Sequence, residues 1–407
     1  MIIKIPVLKG KEQVFFLSYG IFLVFAVLSA SLYYKYFAGT LYTIILMLCL
    51  TLLVFDEIFF DKITIKSLFP LLLCLALYIL IAIVNGNAFG TLQLIPIYIY
   101  CSRKIDFKRI SYFTIFLTSI LFLFIFLSAK AEIIENYVVH SASGRTRAFL
   151  GFRYVLYPAV LCFNISALII YIRREKKMFF CSAILLAINW IIFQQTNARL
   201  SFYTSIILIL GALLLSYKPK FFEKRKVACW LMIFSYILSF TVSLLLSVFY
   251  SNSISWMRQL NDFLGNRLAY AQASLVQYGV TWFGQSISWV GFGLDVEGNV
   301  SSSIYTPYNY VDCLYVQMLQ HYGIVLTVLV IVIFTVVMYR CYKSGDYTLL
   351  MILSVIALKS MIDDLSIYLY YNTFWFPIGY MLIETVRVPR RQNIALDTSD
   401  SKITLGR

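Results

Sequence analysis

The residues best suited to chemistry in this chain are arginines and aspartates standing in short polar breaks between apolar runs. Ser143-Gly144-Arg145-Thr146-Arg147-Ala148-Phe149-Leu150-Gly151-Phe152-Arg153 carries three arginines at the mouth of one run. A guanidinium fork matches phosphate or carboxylate oxygens two at a time, so the stretch reads as an anion-binding collar. Arg153 reads equally as an anchor at the lipid headgroups. Gln194-Gln195-Thr196-Asn197-Ala198-Arg199-Leu200-Ser201 puts a single arginine in a turn whose polar side chains either bind phosphate or hold the guanidinium. Facing lipid is costly for such a charge, so it must face the bundle or a water cavity. Arg258 and Asp262 are four apart, as in a surface ion pair, or Arg258 binds an anion. Arg267, just past Gly265-Asn266, has no local partner.

Downstream, Asp312 stands where a polar segment enters an apolar run, and such an acid can orient or deprotonate a hydroxyl. At helical spacing it shares one face with Tyr315, Met318 or Leu319, and Tyr322. His321 either titrates near neutral pH or is a hydrogen-bonded packing residue. Lys359 and Asp363, with Asp364 beside them, read as a structural ion pair in a wet hairpin or as part of a polar site. Tyr305, Tyr308 and Tyr310 either stack on sugar faces or sit at the membrane interface.

The elements that must position these residues are set by composition. Of 407 residues 61% are apolar, 17% aromatic and only 13% charged, with a mean hydropathy of +0.82. Soluble domains carry roughly 25% charge. A soluble enzyme, a nucleic-acid binder and a disordered chain are excluded, and long apolar runs define an all-α polytopic membrane protein. The formal charge of +15 is explained by topology. With the N-terminus inside, 25 of the 34 Lys and Arg residues fall in inner segments, as the positive-inside rule requires. Six of the nine outer basic residues are arginine, which topology alone does not demand. The 8 cysteines show no CxxC or metal-ligand spacing and read as small packing residues.

About twelve spans are expected, over residues 14–32, 41–55, 68–84, 91–101, 110–128, 154–171, 178–193, 200–217, 227–249, 322–339, 347–362 and 367–383. The first is read as retained, since it is too long for a signal segment. Residues 1–249 thus hold nine spans, 250–310 form a large outer loop, 311–385 hold three more, and 386–407 are a cytoplasmic tail. Within the loop, apolar residues from Ile254 to Val276 recur at helical spacing around the Gly265-Asn266 break, which predicts two short amphipathic helices. After Gly284 the composition turns to Gly, Ser, Asn and Tyr and predicts irregular chain.

Two stretches carry a resemblance. Asn266-Arg-Leu-Ala-Tyr-Ala-Gln-Ala-Ser-Leu-Val-Gln-Tyr-Gly279, leading to Trp282-Phe-Gly284, is followed by Val311-Asp-Cys-Leu-Tyr-Val-Gln-Met-Leu-Gln-His-Tyr-Gly323. In this order and layout they resemble the Wzy family of bacterial polysaccharide repeat-unit polymerases, within the wider O-antigen ligase and polymerase superfamily. The resemblance implies a GT-C-like fold in the bacterial plasma membrane, and the positive-inside count places both termini in the cytoplasm. The resemblance also implies undecaprenyl-pyrophosphate-linked oligosaccharide as donor and acceptor, with a flippase and a chain-length regulator as further partners and no nucleic acid. In the related ligases, one arginine in a short turn and one in the long loop engage the lipid pyrophosphate; Arg199 and Arg267 match those positions. Where the ligases carry a histidine this chain has Asp312, a departure that speaks against a ligase. Arg199, Arg267 and Asp312 are therefore the expected catalytic residues. Arg145, Arg147, Arg258, His321, Asp363 and Tyr315 complete the expected substrate-binding set, and neither metal nor cofactor is expected. A glycan ligase and, from another class, a lipid-linked oligosaccharide flippase are the competing readings.

Overall fold

In a membrane an apolar run has no water to satisfy its backbone, so it coils into a helix and bonds to itself. The computed structural model describes residues 10–60, 65–140, 146–174, 178–219, 221–302 and 308–383, and among these it is mostly helical. Among the described residues, seven helices are long and apolar enough to cross a membrane. They are α1 (Gly10–Ser29), α2 (Thr40–Phe60), α3 (Ile65–Asn85), α5 (Phe107–Lys130), α7 (Phe179–Thr196), α8 (Arg199–Tyr217) and α14 (Gly323–Ser344). A bent pair, α9 (Lys226–Ile233) and α10 (Ser235–Val248), makes an eighth with a 60° bend. Large apolar side chains face outward, such as Phe180 at 81% and Phe69 at 73% exposure. In water such faces would be a liability; in lipid they are the solvent-facing side. The chain is a multi-pass membrane protein.

About twelve spans were expected; the other expected segments are shorter or broken among the described residues, for identifiable reasons. α4 (Ile95–Cys101) has seven residues, all buried. It rises only about 10 Å and cannot cross alone. The non-helical stretch before it is sustained by side chains: Tyr78 donates to the Ala88 carbonyl at 2.7 Å and Gln93 Nε2 to the Asn87 carbonyl at 2.8 Å. The expected span over 367–383 is broken into two 3-10 turns, Leu365–Ile367 and Thr373–Trp375, and a π-helical turn, Gly379–Ile383. Two buried asparagines satisfy its backbone. Asn164 accepts from the Thr373 amide (3.2 Å) and donates to its hydroxyl (2.9 Å). Asn372 donates to the Ser366 carbonyl (2.9 Å) and accepts from the Phe374 amide (3.2 Å). Irregular backbone at membrane depth is tolerated under such conditions.

The middle of the bundle is built from the shorter apolar helices α6 (Tyr157–Ile172) and α15 (Tyr347–Lys359), with the broken segment beside them. Every residue of α15 from Leu349 to Ala357 is buried. Its thirteen residues rise about 20 Å, less than the roughly 30 Å of a hydrocarbon core. Lys359 and the acids after it are consequently sunk into the protein rather than standing in a wet hairpin.

One end of the bundle is tied by ion pairs: Arg103 with Glu57, Lys11 with Glu57 at 3.5 Å, and Arg174 with Asp346. The opposite end carries the long loop. There α11 (Ser255–Phe263) and α12 (Arg267–Tyr278) form as expected, with both elbow residues, Gly265 and Asn266, at positive φ (70° and 65°). From 279 to α13 (Leu314–His321) the described chain has no helix. Before α6, residues 138–148 add an unanticipated hairpin, β1 (Val138–His140) against β2 (Thr146–Ala148). Arg153 staples this region together, donating to the carbonyls of Leu294 (2.8 Å), Asp295 (3.0 Å) and Ser29 (3.3 Å) over the Tyr34 ring. Its role is structural.

Candidate active site

The loop end of the bundle encloses a cavity of about 310 Å³, and several elements bring charge to it. The α7–α8 turn contributes Arg199. Asn197 takes a left-handed conformation there (φ 50°), which ends α7 and lets α8 begin at Arg199. β2 contributes Arg147, whose Nε donates to the Thr196 carbonyl at 3.3 Å and so joins the hairpin to that turn. The elbow contributes Arg267 at the first position of α12. The buried Asn261 holds the elbow: its Oδ1 accepts from the Ala269 amide (3.1 Å) and its Nδ2 donates to Asn266 Oδ1 (2.9 Å). The chain entering α13 contributes Asp312 and Tyr308, and the end of α15 contributes Lys359 and Asp363.

Asp312 precedes α13 in extended chain and does not share a helical face with Tyr315. Cys313 is already non-helical (ψ 111°), and the Leu314 amide is drawn to the Ser360 carbonyl at 3.0 Å. This docking places Asp312 against Arg267, with Nε–Oδ2 at 3.3 Å, while the Tyr308 hydroxyl donates to the same oxygen at 3.2 Å. Both partners use Oδ2; Oδ1 has no hydrogen-bond partner among the described residues. Burial opposes the Arg267 charge, but Asp312 and Tyr154 more than restore it and hold its pKa above the usual value. Burial and then Asp312 push the Tyr308 hydroxyl up, so it stays a donor. Arg267 Nη1 donates to the Leu264 carbonyl at 2.8 Å, yet its buried Nε–H is not aimed at an acceptor despite the nearby carboxylate. Phe292 stacks on Tyr308 (4.2 Å) and Tyr270 meets its edge (4.7 Å), giving the cavity an aromatic wall.

The electrostatic balance is uneven. Among the described residues that line the cavity, Arg147, Arg199, Arg267 and Lys359 stand with Asp312 and Asp363, an excess of two positive charges. Arg267 and Lys359 have carboxylate partners. Arg199 is exposed at the cavity and has no ion-pair partner among the described residues. Unbalanced cations converging on a concave site with unspent N–H groups suit a ligand carrying about two negative charges on oxygen.

The other expected residues fall elsewhere. Arg258 is exposed, outside the cavity lining, and makes no ion pair with Asp262, contrary to the expected i,i+4 contact. Both are exposed, where an ion pair gains little over hydration. Tyr315 is buried with its hydroxyl on the Ala357 carbonyl at 2.8 Å. His321 Nε2 meets Asn85 Oδ1 at 2.8 Å, and burial lowers its pKa, so it is a neutral packing group outside the cavity lining. Arg145 lies outside the described residues. No family model, curated protein or solved structure matches this chain.

Lys359, read from sequence as a hairpin residue, is 1% exposed, pairs with Asp363, and lines the cavity. Its intramembrane position four residues before an acid was the available signal. Lys359→Met leaves Asp363 buried without its cation, which costs about 3–5 kcal/mol. A fall in melting temperature of the detergent-purified protein checks this, and Lys359→Met/Asp363→Asn should recover most of the loss.

Behind Asp312, Asp364 accepts from the Tyr310 hydroxyl (2.6 Å) and Gln317 Nε2 (3.3 Å). Burial, then the Asp312 charge, pushes its pKa up from 3.8 to about 6. The folded protein therefore holds this proton more tightly than the unfolded chain. The stability it confers is complete below about pH 4 and lost as pH rises through 6, an amount of about 3 kcal/mol. Asp364→Asn should thus melt higher than the parent at pH 7.5, with the difference shrinking by pH 5.

Proposed function

We propose that this protein is a membrane glycosyltransferase that polymerises polyprenyl-pyrophosphate-linked oligosaccharide units on the outer face of a bacterial plasma membrane. The observation that carries the reading is the cationic excess of the cavity among the described residues, where Arg199 has no ion-pair partner and Arg267 is braced on Asp312. A pyrophosphate diester brings two negative charges and needs forked donors, and a membrane bundle is where a lipid-linked one is met. The family resemblance of the α12 and α13 stretches supports the same reading. It includes a GT-C-like arrangement of twelve traverses, the broken ones counted, with both termini in the cytoplasm.

In the proposed reaction the bond between the donor sugar's C1 and a pyrophosphate oxygen breaks, and its electron pair leaves on that oxygen. A hydroxyl of the acceptor's terminal sugar forms the new bond to C1, and its proton passes to Asp312 Oδ1. C1 acquires oxocarbenium character as charge builds on the leaving group. Arg267, tied to the Leu264 carbonyl and Asp312, stabilises that developing charge with little reorganisation, and Arg199 adds its charge from the start of α8. Tyr308 and Arg267 keep Asp312 oriented.

The test is reconstitution. Purified protein in vesicles, given lipid-linked repeat units of its own pathway with chelator and no nucleotide sugar, should yield a glycan ladder spaced by one repeat. Intact substrate recovered unjoined from folded protein would overturn the proposal.

A further inference from the structure

Lys359 is placed unlike any other lysine in the described chain. It closes α15, a helix buried along its length, and is itself 1% exposed. The Phe163 ring lies 5.5 Å from its Nζ, and the negative end of the α15 dipole lies beneath it. An ammonium group carries three N–H donors. Here one is met by Asp363 Oδ2, and no other acceptor for Nζ is found among the described residues. Asp363 is in the opposite condition, since its second oxygen accepts from the Leu365 amide at 2.9 Å. Both line the cavity that also holds Arg199 and Arg267.

A buried cation with unspent donors is expensive unless something else occupies them. A hydrophobic residue would fill the end of α15 more cheaply, and an ion pair made only for structure would satisfy its ammonium from the surrounding backbone. Lys359 lines the same cavity as Arg147, Arg199 and Arg267. We propose that Lys359 is a substrate-binding residue that donates to a phosphoryl oxygen of the pyrophosphate, with Asp363 as the counter-ion that the incoming anion displaces. Arg199 and Arg267 then hold the anion from the turn and the elbow, and Lys359 holds it from the floor. This rests on the pyrophosphate reading above and adds a third contact to it.

The test uses the full-length protein in detergent and inorganic pyrophosphate as the probe, titrated calorimetrically at pH 7 without metal. Lys359→Met/Asp363→Asn removes the pair together, so net charge is unchanged and no lone buried carboxylate remains. Removing Asp363 alone takes an anion away from the site and should favour pyrophosphate. A loss in the double variant therefore reports Lys359. The double variant should bind at least about tenfold more weakly, and Asp363→Asn at least about threefold more tightly, while the exposed Lys35→Met is unchanged. Equal affinity of the double variant and the parent would overturn the role of Lys359, as would weaker binding by Asp363→Asn. Absence of binding to the parent protein would instead overturn the pyrophosphate reading itself.

Discussion

Arg199→Ala is expected to slow polymer formation at least about a hundredfold while the protein still reaches the membrane and purifies with an unchanged melting temperature. Removing one preorganised donor aimed at developing charge costs about 2.7–4 kcal/mol of transition-state stabilisation. Arg199 has no ion-pair partner among the described residues, so its removal strands no carboxylate and should leave stability alone. Arg267→Ala is expected to be as severe for activity but to carry a second cost. Asp312 loses the cation 3.3 Å from its Oδ2, and the elbow loses the bond from Arg267 Nη1 to the Leu264 carbonyl. It should therefore also melt lower. Arg→Lys at either position keeps the charge but loses the planar fork, so partial activity is expected at best. The measurement is initial rate of ladder formation in vesicles at matched protein content. Wild-type rates in both alanine variants would remove the basis for an anion site here.

The contrast between the two arginines shows what could be read from sequence and what could not. Both were identifiable because a charge in a short break between apolar runs needs a reason to be there. The elbow was identifiable too, since Gly265 and Asn266 are residue types that accept positive φ cheaply. Asp312 is a candidate from sequence because an acid there stands at the entry to an apolar run. The helical face expected to join it to Tyr315 does not form, because the segment is extended where the Leu314 amide bonds to the Ser360 carbonyl, a partner 46 positions away in sequence.

The broken segments were hidden for a related reason. Hydropathy registers that residues 367–383 are apolar, not that Asn164 on α6 will satisfy the Thr373 backbone in place of a helical turn. Likewise Lys359 and Asp363 look like a hairpin pair until α15 is seen to be too short to lift them out of the bundle. Spacing along the chain reports local geometry. The cavity is made by pairings across it, and for those the sequence carries only the residue types.

Gly284 and Gly323 are the positions where that long-range geometry should prove least tolerant, and they close two of the stretches that carry the family resemblance. Both have positive φ (97° and 83°). A Cβ on Gly284 would lie 2.4 Å from the His321 carbonyl oxygen, and one on Gly323 would lie 2.4 Å from the Gly284 nitrogen. These obstacles are backbone, so no rotamer change relieves them. Around the crossing, the Gln285 amide bonds to the His321 carbonyl (3.0 Å), Ile324 to Thr281 (3.0 Å) and Val325 to Trp282 (3.1 Å). Gly284→Ala or Gly323→Ala must part these strands, at about 1 kcal/mol for each bond and a further 1–3 kcal/mol of backbone strain. A loss of about 4–6 kcal/mol follows, read as a lower melting temperature. Activity should fall as well, because the crossing locks the end of α12 to the end of α13. Ser274 and Gln320 join those helices by side-chain and backbone bonds at 2.9 Å. Arg267 begins one helix and Asp312 precedes the other, so parting them loosens the ion pair at the site. Gly39→Ala and Gly345→Ala separate the two effects: both have positive φ, but nothing lies within 4 Å of the added carbon. They should cost only about 1 kcal/mol and leave polymer formation intact. If all four variants behaved alike, the close backbone crossing would not be what holds the two halves of the site together.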